Sequence, residues 1–247
     1  MKLSSFFKEN CSIAIAFSGG VDSSYLLYMA NKYAKNVTAY YVKTQFQPHF
    51  ELEDAGNLAQ MLGARMKIIE LDVLCDSDVK KNPENRCYYC KKRLFSTICD
   101  TARKDGYTLI IDGTNASDEE GDRPGMKALR ELSVRSPLRE CGLTKDEIRK
   151  LSKEAGLFTW DKPAYACLAT RIPTGVELTE EKLIRTEKAE DFLFTLGFCD
   201  FRVRELRNAA QIQIKEEQLP LLLNYKNEII TELKKHFGSV LLDMEGR

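Results

Sequence analysis

Apolar and polar positions change period several times along the first 160 residues. Residues 12–17 (Ser12-Ile13-Ala14-Ile15-Ala16-Phe17) form a short apolar run that meets a glycine pair. Residues 21–33 then carry apolar side chains at helical spacing, which predicts a strand, a tight loop and a helix. Residues 37–42 repeat the strand signal, residues 52–62 the helix signal, and residues 66–71 give a third strand. Residues 91–103 read as a further helix and residues 107–112 as another buried strand. Strands that alternate with helices pair in parallel through right-handed crossovers, so a doubly wound α/β sheet is predicted.

The pattern continues less regularly toward the C-terminus. Residues 116–125 are acidic and glycine-bearing, a loop at the carboxyl edge of the sheet, where parallel strands place ligands. Thr144 followed by Glu147 is a capping-box signature that opens a helix over 144–155, and Gly156 closes it. Residues 161–175 carry two prolines and little periodicity, which marks them as the junction between a domain at 1–160 and a smaller α+β domain at 176–247. In that second domain residues 179–196 read as a charged amphipathic helix, and residues 201–206 and 211–215 alternate like half-exposed strands.

Composition narrows the function classes. The 247 residues hold 43% hydrophobic and 30% charged residues, a globular profile, and Lys+Arg and Asp+Glu stand at 37 each. With a formal net charge of zero there is no overall footprint for a polyanion, so nucleic acid is not the expected partner, although local basic clusters could hold single phosphates. No stretch is long and apolar enough to span a bilayer, and no targeting segment is visible, so a cytoplasmic protein is expected. In a reducing compartment clustered cysteines among the eight are more often metal ligands or reactive thiols than disulfides, and Cys11, Cys75, Cys99, Cys141 and Cys199, without partners at ligand spacing, read as structural.

Ser18-Gly19-Gly20-Val21-Asp22-Ser23-Ser24 lies at the first strand-to-helix turn. Two glycines let the backbone approach a ligand, and a helix start offers unpaired N–H groups and a positive dipole end, so a pyrophosphate fits there. The serine hydroxyls add hydrogen bonds, and Asp22 either holds Mg²⁺ or caps the helix. A plain glycine turn with a serine cap accounts for one Gly and one Ser, not for the whole string. It is not a Walker A loop, because the lysine after the second glycine is missing.

The string resembles the PP-loop ATP pyrophosphatases, which implies an adenine nucleotide alpha hydrolase-like domain, ATP with Mg²⁺, and transfer of AMP to a carbonyl or carboxyl oxygen. Three further stretches sharpen this: Arg86-Cys87-Tyr88-Tyr89-Cys90-Lys91-Lys92, residues 112–125, and the segment around Cys167. Together with Arg202-Val203-Arg204 they resemble the LarE-type sulfur transferases, which thiolate a pyridinium carboxylic acid mononucleotide for the nickel-pincer nucleotide cofactor. The resemblance implies that Cys167 presents sulfur, either its own or, with Cys87 and Cys90, on a [4Fe-4S] cluster fed by sulfide or another donor. A homo-oligomer is expected with it.

Supporting positions follow. Arg202 and Arg204, two apart on a strand, share a face and could grip the substrate phosphate. Glu187 and Glu190 share a helix face and could touch a metal or the substrate, or form a solvated face. Arg123 could contact nucleotide or a neighbouring subunit, and Arg171 would favour a thiolate at Cys167 if both face one site. Only His49 and His236 are present, neither at ligand spacing, so a histidine base is not expected. The rival functions are a tRNA thiolase of the same superfamily and a non-catalytic nucleotide-binding or sulfur-carrier protein.

Overall fold

The computed structural model describes residues 2–118 and 124–246. In chain order the elements are α1 (Leu3–Glu9), β1 (Ser12–Ala16), α2 (Val21–Tyr33), β2 (Asn36–Lys43), α3 (His49–Met61), β3 (Arg65–Glu70), α4 (Ser77–Lys80), α5 (Arg86–Lys104) and β4 (Ile110–Ile111). They continue with α6 (Pro124–Glu131), α7 (Pro137–Glu140), α8 (Lys145–Glu154), α9 (Glu180–Thr195), β5 (Arg202–Leu206), β6 (Ala209–Gln213), α10 (Leu219–Asn224), α11 (Lys226–Leu233) and β7 (Ser239–Leu242). The chain divides into two compact units, Met1–Val73 with Asn85–Ala164, and Leu74–Glu84 with Tyr165–Arg247.

The first unit is built on a parallel four-stranded sheet in the order β3-β2-β1-β4. Because side chains alternate along a strand, the central strands feed two cores. Ile13 and Ile15 pack with Val37, Ala39, Tyr41 and helices α1 and α2 on one face, while Ala14, Tyr40 and Val42 pack with Ile98 and Ala102 of α5 on the other. The order places β2 and β3 to one side of β1 and β4 to the other, so the direction of winding reverses between β1 and β4. That reversal opens a crevice at the carboxyl ends of these two strands, the position where open α/β sheets bind ligands.

Several elements depart from the periodicity. Helix α5 begins at Arg86, five residues before the expected start, so Cys87 and Cys90 sit inside its first turns rather than ahead of it. Arg86 anchors that start: it is buried, and its guanidinium lies over the Phe46 ring at 5.6 Å. The expected strand at 107–112 shortens to β4, because Asp112 N donates to Arg135 O and leaves β1. Helix α1, with Leu3, Phe6 and Phe7 buried, carried no recognised signal.

The capping box at Thr144 and Glu147 is present in both of its hydrogen bonds. Two backbone donors at the helix start, those of Thr144 and Glu147, thereby find acceptors.

In the second unit β5 and β6 pair antiparallel, and β6 and β7 parallel. Arg207 and Asn208 both have positive φ (49° and 68°), the conformation a two-residue hairpin turn demands. Helix α9 covers the sheet, and Ala189, Leu193, Phe198, Phe201, Val203 and Ile212 form part of the core.

Residues 74–84 interrupt the first unit in sequence yet pack with the second. Buried Asn82 explains this: its side-chain amide donates to Ile172 O and Pro173 O, and its carbonyl accepts from Gly175 N at 2.8 Å. Leu178 N donates to Lys80 O in the same way. Asn82 has φ 52°, a left-handed conformation that asparagine tolerates better than most residues. Asn82→Ala strands two buried carbonyls and adds backbone strain, so it should cost about 2–4 kcal/mol. A shift in the denaturant midpoint of less than a tenth of that would reject this account.

Candidate active site

The loop after β1 is shaped by close approach of backbone to backbone. Gly19 has φ +73°, and a Cβ on it would stand 3.1 Å from the Ala55 Cβ of α3. Gly20 is the N-cap of α2 and makes no side-chain cap bond. The loop braces itself with serines: Ser18 Oγ lies 3.1 Å from Ser23 Oγ, Gly20 N donates to Ser18 Oγ, and Ser23 Oγ donates to Gly20 O. Ser24 is fully buried and its N–H donates to Gly20 O, so it backs the loop instead of facing a ligand as expected. Val21 is buried in the core beneath.

Asp22 does not cap the helix. Its Oδ2 accepts from Lys145 Nζ at 2.6 Å, while its Oδ1 is buried with no hydrogen-bond partner among the described residues. An orphaned carboxylate oxygen at the mouth of an anion-binding turn is the donor a hard cation such as Mg²⁺ requires. Lys145 is a site residue that the sequence reading missed. It opens α8, its N–H donates to Ser117 Oγ, and it brings a positive charge to the loop from 123 residues farther along the chain.

The loop after β4 completes the crevice. A Cβ on Gly113 would stand 2.9 Å from Ser23 N and 3.1 Å from Ser23 Cα, so only glycine lets this strand end lie on the first turn of α2. Beside it, buried Asp112 accepts from Ser136 Oγ at 2.6 Å and from Thr114 Oγ1. Burial pushes the Asp112 carboxyl above its usual range, against the hydrogen bonds from Ser136 and Thr114. Arg139 closes the loop by donating to Asn115 O and Asp118 O. Arg123 and its neighbour Asp122 lie outside the described residues.

The cysteine pair of the first unit stands at the N-terminal end of α5. Cys87 is exposed and Cys90 partly buried, with Arg86 Nη2 3.6 Å from the Cys87 Sγ. All eight cysteines are free thiols. Among the described residues no three His, Cys, Asp or Glu side chains are grouped to hold a metal ion.

In the second unit Cys167, partly buried, precedes a single 3-10 turn at Leu168–Arg171. Arg171 is buried and bound to Glu190, Nε to Oε1 at 2.7 Å and Nη2 to Oε2 at 3.0 Å. Burial would lower the Arg171 pKa, but the hydrogen bonds and charge of Glu190 outweigh it, with smaller help from Tyr165 and Cys167. Arg171 and Cys167 are therefore within electrostatic reach.

Glu190 is neither solvated nor open to a ligand. Tyr165 Oη, both Arg171 nitrogens and Val203 N already donate to it. Its neighbour Glu187, by contrast, is only partly buried. Arg204 donates Nε to Gln213 Oε1 and Nη1 to Thr170 O, and Arg202 is partly buried on the same strand.

A glycine-built turn at the sheet's winding reversal, with a lysine and a carboxylate oxygen that has no partner among the described residues at its mouth, defines a nucleotide-handling α/β enzyme of the PP-loop class. The family described as Queuosine biosynthesis protein QueC matches residues 12–83, from β1 past β3. Pyridinium-3,5-bisthiocarboxylic acid mononucleotide synthase of Lactiplantibacillus plantarum is 34% identical over 242 residues, 97% of this chain and 88% of that protein. On that similarity the chain belongs to the LarE-type family of ATP-dependent sulfur transferases. An uncharacterized protein of Synechocystis sp. is 39% identical over 99% of this chain and 92% of its own length. A tRNA-specific 2-thiouridylase of Pseudothermotoga lettingae is 26% identical over 61% of this chain and 53% of that protein.

Gly113→Ala tests the crevice. The added methyl meets backbone, which cannot swing aside, so the substitution should cost about 1–3 kcal/mol and displace the first turn of α2. Thermal unfolding and nucleotide titration measure the two effects, and a variant with unaltered ATP affinity would contradict the packing role.

Proposed function

We propose that the chain adenylates a carboxylate of a pyridinium carboxylic acid mononucleotide with ATP and replaces the activated oxygen by sulfur, giving a thiocarboxylate for nickel-pincer cofactor synthesis. The observation that carries the first half is Asp22, whose buried Oδ1 has no partner beside the glycine turn. Asp22 Oδ1 would hold Mg²⁺, and the amides of Ser18, Gly19, Gly20, Val21 and Ser23 would receive the diphosphate. The substrate carboxylate oxygen bonds to the α-phosphorus as the bond to the β-phosphate bridge breaks, and pyrophosphate leaves. An added sulfide would then bond to the acyl carbon as the bond to AMP breaks, leaving the thiocarboxylate; where Cys167 gives its own sulfur, Sγ bonds to the acyl carbon as AMP departs, and the Cβ–Sγ bond then breaks with loss of the Cα proton to leave dehydroalanine. Lys145, paired with Asp22 Oδ2, would supply a positive charge for phosphate at the same turn.

The second half leans on Cys167 and on the printed name of the Lactiplantibacillus relative, a synthase of a bisthiocarboxylic acid mononucleotide. Arg204 and Arg202 would take the substrate phosphate. Cys87, Cys90 and Cys167 are proposed as three thiolate ligands of a [4Fe-4S] cluster, which when bound supplies one iron without a protein ligand for an added sulfide. The two cysteines one turn apart on α5 support that part of the reading.

Eight free thiols fit the reducing cytoplasm, and no helix among the described residues is long and apolar enough to cross a membrane. Self-association belongs to the same proposal, with exposed Leu223 and Leu241 as apolar surface to cover. Thiolation of tRNA is the weaker reading: the thiouridylase match spans only 61% of the chain, and the net charge is zero.

Asp22→Asn should abolish pyrophosphate release and leave thermal unfolding unchanged; undiminished release removes Asp22 from the chemistry. Cys167→Ala should keep pyrophosphate release and lose thiolated product. Anaerobically prepared protein should contain iron and acid-labile sulfide in near-equal amounts. Colourless protein whose mass falls by one H₂S on turnover would replace the cluster with sacrifice of the Cys167 sulfur.

A further inference from the structure

The segment carrying Cys167 is held by a polar assembly centred on the buried pair Arg171 and Glu190. Arg171 Nη1 donates to Ala166 O at 2.8 Å and to Thr170 Oγ1 at 2.9 Å, and so touches the chain on both sides of Cys167. Thr170 in turn gives both its N–H and its hydroxyl to Cys167 O, at 2.9 and 2.8 Å. Glu190 fixes the other edge of the guanidinium, and the Tyr165 ring lies 4.6 Å from it. From the sheet side, Arg204 Nη1 donates to Thr170 O at 2.9 Å.

Ala166 O, Cys167 O, Thr170 O and the Thr170 hydroxyl are thus held by Arg171, Thr170 and Arg204. A planar guanidinium offers five donors in a rigid fork, which is why arginine can serve the carboxylate, the carbonyl and the hydroxyl at once and lysine cannot. Burying such a pair is expensive unless every donor is placed. Here the donors of Arg171 go to Glu190 and to the backbone and hydroxyl on either side of Cys167.

We propose that Arg171, braced by Glu190 and Thr170, is a positioning residue that fixes where Cys167 presents its sulfur, and that Arg204 couples this position to the strand expected to grip substrate. The proposal rests on Cys167 as the sulfur-presenting residue. Arg171 never meets the reacting atoms. It acts through the backbone on either side of the cysteine, and an acyl adenylate that meets no placed sulfur is lost to water.

The informative quantity is thiolated product formed per pyrophosphate released, measured with ATP, the pyridinium carboxylic acid mononucleotide and sulfide. Thermal unfolding of each variant is compared with that of the wild type alongside the ratio, because loss of structure confined to the unit that holds Cys167 would lower the ratio as well. Thr170→Val removes the hydroxyl that links Arg171 to Cys167 while keeping shape, and should lower the ratio roughly tenfold, since small misplacements of a reacting group cost that much or more. Thr170→Ser restores the hydroxyl and should restore the ratio. Arg171→Lys should lower it at least as far, and if that variant does not fold, Thr170→Val decides alone.

A wild-type ratio in Cys167→Ala would defeat the sulfur assignment itself. A low ratio there, combined with wild-type ratios in Thr170→Val and Arg171→Lys, would overturn the positioning role only.

Discussion

Between Gly113 and the first turn of α2 there is no room for a side chain, and the nucleotide site depends on that contact. A parallel sheet whose winding reverses leaves a gap between the two strands that diverge, and something must bring their loops together for one ligand to feel both. Here glycine after β4 lets backbone rest on backbone, since a Cβ at that position would stand 2.9 Å from the Ser23 nitrogen. The serine bridge from Ser18 to Ser23 and the left-handed Gly19 then need to shape only a short arc.

Much of this was legible in the sequence because it is local. The apolar run, the glycine pair and the helical spacing that follows occupy contiguous residues, and α2 spans the expected Val21–Tyr33. The capping box is equally local, a pair three residues apart. What escaped were pairings that cross the chain. Lys145 meets Asp22 from 123 residues away, and no spacing rule links them. The early start of α5 rests on Arg86 stacking over Phe46, a contact between segments.

Glu190 shows the opposite failure. Its spacing from Glu187 places both on one helix face, and a charged face usually meets water. A buried arginine nineteen residues earlier reverses this, because each charge becomes tolerable only in the presence of the other. Charge on a helix face thus announces solvent only when no opposite charge is folded beneath it. Arg204 is a milder case: the strand pairing that exposes its face also gives it Gln213 as a neighbour.

The polypeptide passes from one unit to the other after Val73, returns after Glu84, and leaves again after Ala164. A chain cut at the last crossing would therefore not yield the nucleotide-binding half in pure form. It would carry eleven orphaned residues, Leu74–Glu84, whose Asn82 amide and Lys80 carbonyl have lost the loop that satisfied them. The two halves are separable on paper but stitched by a strap, so gene fusion or fragment expression must excise that strap or supply its partner.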